Sequence, residues 1–186
     1  MKPESVIRIH QRIGQMAEDL GVACDTSGFI LIELKHQCLY WLHQSGDALS
    51  WPISSSRYGV GCAEGSYKTP IGLHRVAEKI GDHLTPGEIL RGRVPQGQVA
   101  VIHTGPKAST TDLICSRILW LQGLEEGVNT GAGCDSYTRY IYIHGTADEG
   151  LIGQPASIGC IRMKNVDVIE LFDRVAEGTL VFIETI

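Results

Sequence analysis

Long apolar runs are missing from the sequence. No stretch approaches the roughly 20 apolar residues of a membrane-spanning helix. The opening segment MKPESVIRIHQRIGQMAEDLG carries acidic and basic side chains throughout instead of an apolar signal core. Cys24 ends LGVAC, a faint likeness to a lipoprotein cleavage site, but Gly21 stands where a branched apolar residue is expected. We therefore expect a cytoplasmic protein with no membrane partner.

Paired cysteines and a surplus of basic residues are also missing. The six cysteines, at positions 24, 38, 62, 115, 134 and 160, show no C-x-x-C and no metal-ligand spacing. We expect free thiols in a reducing compartment, with oxidised pairs as the alternative, and no metal or cofactor. The formal net charge of −5 argues against nonspecific binding of nucleic acid. Internal repeats and low-complexity tracts are absent as well, so nothing marks a second domain.

The composition that remains suits one globular domain preceded by a helix. With 186 residues, 43% of them apolar, the chain is long enough for a well-buried core. Apolar residues recur at steps of three and four from Val6 to Leu20 and stop at Gly21, which predicts an amphipathic helix with a C-terminal glycine. We divide the chain into a helical extension, 1–26, and a main domain, 27–186.

Short strands separated by glycine- and proline-rich segments are predicted for most of the main domain. Residues 29–35 and 38–43 predict a hairpin. Further strands are predicted at 72–76, 99–103, 114–121, 139–144 and in the closing TLVFIETI, although 114–121 also fits a helical turn. Segment 81–97 predicts a long loop, and the sequence leaves open whether it forms a lid. The fold class is mainly β, a sandwich or barrel.

Two further patterns lie near the end of the chain. In RYIYIH the alternation predicts Ile141 and Ile143 on one face of a strand, with Tyr140, Tyr142 and His144 on the other. The segment KNVDVIELFDRVAEG predicts a short helix, which we expect Asn165 to cap and Gly178 to end. This helix follows directly on a Gly-Cys pair.

His144 and Cys160 carry the residue types of nucleophilic catalysis. A cysteine nucleophile needs its thiolate stabilised by an imidazole, a helix N-terminus or backbone amides. Gly159 lets the backbone turn and aim N–H groups at an oxyanion. The second ring nitrogen of His144 needs an acceptor, either the carbonyl of Gly145, where a glycine admits unusual backbone angles, or the side chain of Asp148.

Substrate contacts are predicted for the residues around this pair. Arg162 is placed to meet a substrate carboxylate, with an ion pair to Asp167 or Glu170 on the following helix as the alternative. The other predicted substrate contacts are Ser157, Tyr142 and Arg139, and packing on the strand surface is the alternative for Tyr142. The remaining histidines, at positions 10, 36, 43, 74, 83 and 103, are interpreted as structural.

The segments IHGT and SIGCIRM together resemble the signature of the L,D-transpeptidase catalytic domain, the YkuD family. ILIELKHQCLYWL is similar to the opening hairpin of that domain and KTPIGLHRV to its Thr-Pro-x-Gly stretch. The resemblance implies Cys160 as nucleophile, His144 as general base and acid, the Gly145 carbonyl as orienter of the ring, and Gly159 with Cys160 as oxyanion donors. Ile158 stands where the family usually has a histidine.

The resemblance also implies a substrate and a reaction. Members attack the bond between an L-centre, typically of meso-diaminopimelate, and D-alanine in murein tetrapeptides, and form a thioester. If the acyl group passes from the thioester to water, the enzyme is an L,D-carboxypeptidase of peptidoglycan recycling. We favour this reaction because no export signal is found. Transfer to an amine makes an L,D-transpeptidase. The sequence leaves open the oligomeric state and the sugar or nucleotide on the substrate.

Three other interpretations compete with these two. A non-catalytic muropeptide-binding module predicts a lost Cys or His, and neither is lost. A zinc site would need further ligands, of which Cys134 and Asp135 are nearest in sequence. A papain-like or NlpC-type hydrolase carries its cysteine before its histidine, the reverse of the order here.

Overall fold

Within the residues that the structure describes, a sheet of ten strands forms the frame of the molecule. The computed structural model describes residues 2–23, 27–109 and 111–185. Its elements are α1 Pro3–Asp19, β1 Gly28–Glu33, β2 Cys38–His43, β3 Ala48–Pro52, β4 Gly72–Ile80, β5 Glu88–Arg91, β6 Val94–Val99, β7 Ile114–Gly123, β8 Tyr142–Thr146, a 3-10 turn Glu149–Leu151, β9 Ile161–Met163, α2 Asn165–Arg174 and β10 Leu180–Glu184. The prediction of a mainly β fold with an early helix and a short helix after Cys160 is confirmed.

The strand order places β10 in the middle of the sheet. The path runs β3-β2-β1-β10-β4-β7-β5-β6, and β8 pairs with β7 and β9. β10 lies parallel to β1 on one side and antiparallel to β4 on the other. The parallel pair of β8 and β9 sets His144 opposite Arg162. This pairing brings the two segments that carry the predicted catalytic residues side by side.

Both faces of the sheet are covered near β1, which explains its continuous apolar run. Phe29 and Leu31 pack against α1, whereas Ile30 and Ile32 point into the core under α2. On α1 the buried positions include Val6, Ile13 and Ala17, so the helix adds to the core instead of extending from it. The division at residue 26 remains a prediction.

The glycine that was expected to end α1 does so. Gly21 adopts a φ of +67°, and its N–H donates to the carbonyl of Glu18. The N–H of Val22 then returns to the carbonyl of Ala17. These bonds satisfy carbonyls that the last helical turn would otherwise leave unpaired. No helix within the described ranges is long and apolar enough to cross a membrane.

Two predictions between residues 81 and 103 are wrong. Segment 81–97 is largely a hairpin, because β5 and β6 pair across a two-residue turn at Gly92 and Arg93, whose φ values are +54° and +69°. The strand predicted at 99–103 is not formed, because β6 ends at Val99 and residues 100–103 have no regular structure. The strand prediction at 114–121 is confirmed, and β7 extends to Gly123.

Three boundaries near the end of the chain also differ. β8 starts at Tyr142 and not at Arg139, because Tyr140 has a φ of +57° that no strand tolerates. Lys164, not Asn165, occupies the N-cap position of α2 and makes no side-chain capping bond, whereas the Asn165 side-chain amide donates to the carbonyl of Thr146 and to Glu149. The helix ends at Arg174, well before Gly178, which turns the chain into β10 with a φ of +91°.

Candidate active site

The fold buries His144 and fixes its tautomer. The side chain is 1% exposed, and its Nδ1 lies 2.7 Å from the carbonyl oxygen of Gly145. Because a carbonyl can only accept, Nδ1 carries the proton and Nε2 is the free base. Burial lowers the pKa of His144 below its ordinary 6.5, opposed in part by the charge of Asp112. Asp148, the competing orienter, accepts from the N–H of Ser109 instead.

Space, not backbone conformation, requires a glycine at position 145. Gly145 does not adopt a positive φ, so the expectation of unusual backbone angles is wrong. A Cβ here would come within 2.6 Å of the Cys115 carbonyl oxygen and of Asn165 Oδ1. Asn165 Oδ1 is itself held in place, since it accepts a hydrogen bond from the hydroxyl of Ser116. A larger residue would displace the carbonyl that orients His144.

Two hydroxyl groups hold the turn that presents Cys160. Ser157 Oγ donates to the carbonyl of Cys160 at 2.6 Å and accepts from the N–H of Gly159 at 3.3 Å. Thr69 Oγ1 donates to the carbonyl of Gly159 at 3.0 Å. The φ of Gly159 is +133°, a region that side chains rarely enter. Ser157, predicted to contact substrate, is fully buried and stabilises this turn.

The surroundings of the Cys160 sulfur favour the neutral thiol. It lies 3.4 Å from the carbonyl oxygen of Tyr140, to which the S–H donates, and the backbone of Tyr142 also hydrogen-bonds to it. Burial raises the pKa of the Cys160 thiol to about 12. A thiol in this state attacks only when a base removes its proton during the reaction.

His144 and Cys160 line one cavity of about 280 Å³. Its other walls come from Tyr67, Asp112, Ile114, Arg139, Tyr140, Ile141, Tyr142 and Ile158. The cavity therefore brings together the predicted nucleophile and base with two of the predicted substrate contacts, Arg139 and Tyr142. Ile158, which replaces the family's histidine, is 43% exposed at its rim.

The polar groups of Arg139 and Tyr142 are occupied by protein. Arg139 donates to the carbonyls of Cys62 at 2.8 Å and Lys68 at 2.7 Å, which ties the residues before Thr69 to the cavity wall. The hydroxyl of Tyr142 accepts from Arg93 at 3.1 Å. Arg139 also places a positive charge near Cys160, which acts to lower the pKa of the thiol. Both residues shape the cavity through contacts that sequence alone does not show.

Arg162 pairs with a residue that the sequence did not indicate. Its Nη2 lies 2.6 Å from Asp112, and its Nη1 lies 3.9 Å from Asp148. The alternative of an ion pair with Asp167 or Glu170 is wrong, since Glu170 accepts from Trp51 and Arg174. No motif marks Asp112, which precedes β7 in a segment without regular structure. Only the paired strands bring it to Arg162.

The zinc interpretation finds no ligand set. Within the described residues no group of three or more His, Cys, Asp or Glu side chains is placed to hold a metal. Cys134 donates to the carbonyl of Thr130, and Asp135 accepts from the N–H of Thr138. The cysteines at positions 38, 62, 115, 134 and 160 are free thiols. Cys24 lies outside the described residues.

Buried His74 illustrates the structural interpretation of the other histidines. Its Nδ1 lies 3.0 Å from the carbonyl oxygen of Gly72, and its Nε2 lies 3.0 Å from Ser136 Oγ. Burial lowers the pKa of His74 to about 4. Both ring nitrogens are thus used by protein groups, and no cysteine is among its hydrogen-bond partners.

Comparison with known proteins points to one family. The model of the L,D-transpeptidase catalytic domain, YkuD, matches residues 27–183. An L,D-transpeptidase from Mycobacterium smegmatis has a TM-score of 0.51 at 14% identity, over 86% of this chain and 59% of that one. L,D-transpeptidase 3 from Mycobacterium tuberculosis, in complex with a faropenem-derived adduct, has a TM-score of 0.51 at 15% identity, over 85% and 60%.

These structural similarities are similarities of fold. At such identities the two structures share the fold alone, and the chain spans about three fifths of the length of each. No curated protein matches the sequence significantly.

Proposed function

Since the chain belongs to the L,D-transpeptidase catalytic domain family, we propose that it is a cysteine L,D-carboxypeptidase that hydrolyses the meso-diaminopimelate–D-alanine bond of murein tetrapeptides. The observation that carries the proposal is the bond from His144 Nδ1 to the carbonyl of Gly145. It leaves Nε2 unprotonated in the cavity that also holds the Cys160 thiol. A neutral thiol and a neutral imidazole are the two partners that general-base attack requires.

The first half-reaction makes a thioester. Cys160 Sγ attacks the carbonyl carbon of diaminopimelate while its proton passes to His144 Nε2. We keep the N–H groups of Gly159 and Cys160 as the donors to the resulting oxyanion, as the resemblance implies, with the N–H of Gly159 leaving Ser157 Oγ, to which it donates at 3.3 Å in the resting site. When the intermediate collapses, the C–N bond breaks and His144 returns the proton to the amine of D-alanine. The tetrapeptide has then become an acyl-enzyme and one free D-alanine.

The second half-reaction releases the tripeptide. Water attacks the thioester carbonyl as His144 Nε2 takes one of its protons. The C–S bond breaks, and the proton passes from His144 to the departing thiolate. Because Nδ1 stays bonded to Gly145 throughout, the same nitrogen serves as base and then as acid in each half. The enzyme returns to its resting, uncharged state.

The proposal includes the setting of the reaction. We place the enzyme in the cytoplasm, acting on soluble muropeptides, where removal of D-alanine prepares the peptide for recycling. Fractionation of cells with an antibody to the protein tests this part, and a signal confined to the cell envelope would contradict it.

L,D-transpeptidation is the second candidate, and one observation favours it. Another cavity of about 420 Å³ meets the Cys160 cavity at Asp112 and Ile114 and is also lined by Leu90, Arg91 and Thr111. An acceptor peptide that brings an amine to the thioester would have room there. Hydrolysis needs no such space, since water reaches the thioester from solvent.

Product analysis by mass distinguishes the candidates. We expect a soluble disaccharide-tetrapeptide to lose one alanine and gain one water, with and without an added D-amino acid. Cys160→Ala should remove this activity, while the matched variant Cys38→Ala, on β2 away from the cavity, should retain it. Dominant exchange or dimer formation would favour the transpeptidase. Unchanged hydrolysis by Cys160→Ala would exclude the mechanism, and binding without any product would favour a muropeptide-binding module.

A further inference from the structure

A cavity of about 280 Å³, distinct from the one of about 420 Å³, adjoins the cavity that holds Cys160, and we call it the second cavity. The two share Asp112 and Ile158 in their walls, so a ligand attached at the nucleophile can reach both. Arg57, Asp148 and Arg162 also line the second cavity. None of the acyl-transfer steps needs a group bound there. The chemistry of its walls therefore indicates a part of the substrate away from the reacting bond.

Charges of both signs meet in this cavity and cancel. Arg57 and Arg162 supply two positive charges, and Asp112 and Asp148 supply two negative ones. A ligand with a net charge would lose its hydration without full compensation in such surroundings, whereas a zwitterion keeps the balance. The cavity thus favours a group that carries an ammonium and a carboxylate together.

Arg162 retains hydrogen-bonding capacity for a carboxylate. Its side chain is only 5% exposed and uses Nη2 for Asp112. Within the described residues, its Nε and Nη1 make no hydrogen bond. Buried donors left without partners are unfavourable, and a ligand carboxylate would satisfy them once the Asp112 side chain, 28% exposed, shifts outward. Arg57 is exposed on the same wall and can meet the same carboxylate.

An apolar path joins the nucleophile to these charges. Ile158 lies in the wall common to both cavities and keeps 43% of its surface exposed. Arg162 follows Cys160 by two residues, a distance of roughly 6.5 Å along an extended chain. Three methylene groups span a comparable length, and their natural neighbour is an aliphatic side chain.

Resting on the proposed function, we propose that the second cavity binds the side-chain end of the diaminopimelate residue. Its methylene groups lie over Ile158, its carboxylate meets Arg57 and Arg162, and its ammonium meets Asp112. A lysine at the same position offers the ammonium without the carboxylate. The cavity therefore selects diaminopimelate tetrapeptides over lysine tetrapeptides.

Kinetics with three tetrapeptides test the selection. They carry diaminopimelate, its side-chain carboxamide, or lysine at the third position. We expect kcat/KM to be at least about tenfold higher for diaminopimelate than for either analogue, as for one charge-assisted contact. Arg57→Gln should remove most of this preference by slowing only the diaminopimelate peptide. Arg8→Gln, a matched exposed arginine on α1, should leave all three rates unchanged.

Two outcomes would overturn the assignment. Equal kcat/KM for diaminopimelate and lysine peptides would show that the side-chain carboxylate is not recognised. If Arg57→Gln slows all three peptides equally, and if amidation of the terminal D-alanine carboxylate abolishes that effect, the cavity binds the leaving residue instead.

Binding separates this assignment from the proposed activity. Calorimetric titration of the Cys160→Ala protein with diaminopimelate and lysine tetrapeptides needs no turnover. We expect tighter binding of the diaminopimelate peptide, by about tenfold, even if the wild-type protein releases no D-alanine. If Cys160→Ala binds both peptides with equal affinity while the wild-type protein releases D-alanine, the subsite is rejected and the carboxypeptidase proposal stands.

Discussion

Burial favours the uncharged forms of both His144 and Cys160. Removing either side chain from water penalises its ion, which lowers the pKa of the imidazole and raises that of the thiol. The resting site is therefore a neutral pair, in contrast to the thiolate–imidazolium pairs of some cysteine peptidases. Asp112 moderates the imidazole shift, because its negative charge stabilises the protonated ring.

The neutral pair predicts the pH dependence of kcat/KM. His144 must be unprotonated to act as base, so activity should fall only as the pH drops through its lowered pKa, below the ordinary 6.5. No rise from thiolate formation is expected near neutrality, since the pKa of Cys160 is about 12. Measuring kcat/KM between about pH 4 and 9 checks the acid limb and the absence of a rise near neutrality.

Asp112→Asn provides the internal test of this pH profile. It removes the charge that raises the His144 pKa, so the acid limb should move to lower pH. Asp82→Asn, at a fully exposed carboxylate, should leave the limb in place. An acid limb above 6.5, or one that does not respond to Asp112→Asn, would contradict the neutral pair.

The residues most open to prediction were those within short motifs. His144 with Gly145 and Gly159 with Cys160 stand in fixed local patterns, and each pair lies within one turn or strand end. Asp112 could not be found in this way, because its partner Arg162 is fifty residues away in sequence and meets it only through the sheet. Ser157 was found, but with a role in the turn that only its burial reveals.

At the scale of elements, Thr69 links the segment before β4 to the catalytic turn. Its hydroxyl accepts from the N–H of Ser56 and donates to the carbonyl of Gly159, in fully buried surroundings. The KTPIG segment thereby positions the turn without touching the reacting atoms. The likeness of KTPIG to the family's Thr-Pro-x-Gly stretch acquires a physical reason from these two bonds.

Thr69→Val should lower kcat/KM by about tenfold or more, because the Gly159 carbonyl and the turn beside Cys160 lose their support. The free energy of unfolding should fall by about 1–3 kcal/mol, since two buried polar groups lose their partner. Thr179→Val is a matched control: its buried hydroxyl accepts from the N–H of Ala176 far from the cavity. It should destabilise similarly with unchanged kcat/KM, measured by urea unfolding and product release.

Elements with a strong apolar pattern were predictable, and those defined by turns were less so. The β1–β2 hairpin, β7 and β10 are visible in the sequence because their side chains face apolar layers. The β5–β6 hairpin was missed, since every residue of β6 is exposed and carries no alternation. The start of β8 was misplaced because Tyr140 adopts a left-handed conformation that its side chain disfavours.

At the scale of the whole molecule, α1 covers one face of the sheet. Ile13 is fully buried against this face, and Ile7 on the same helix is 40% exposed. Ile13→Ala should lower the free energy of unfolding by about 2–5 kcal/mol. Ile7→Ala should cost only about 0.5 kcal/mol. Equal small losses in urea unfolding would show that the helix is an independent extension, as the division at residue 26 suggests.

The central place of β10 affects how the chain acquires its fold. Residues 180–184 separate β1 from β4, so the sheet has two unpaired edges until this strand is inserted. During synthesis β10 leaves the ribosome after the other described strands, and it completes the middle of the sheet. Contacts this distant in sequence slow folding, and exposed edges invite association with other chains. A product truncated before Leu180 would thus be a target for chaperones and proteases, although it contains both His144 and Cys160.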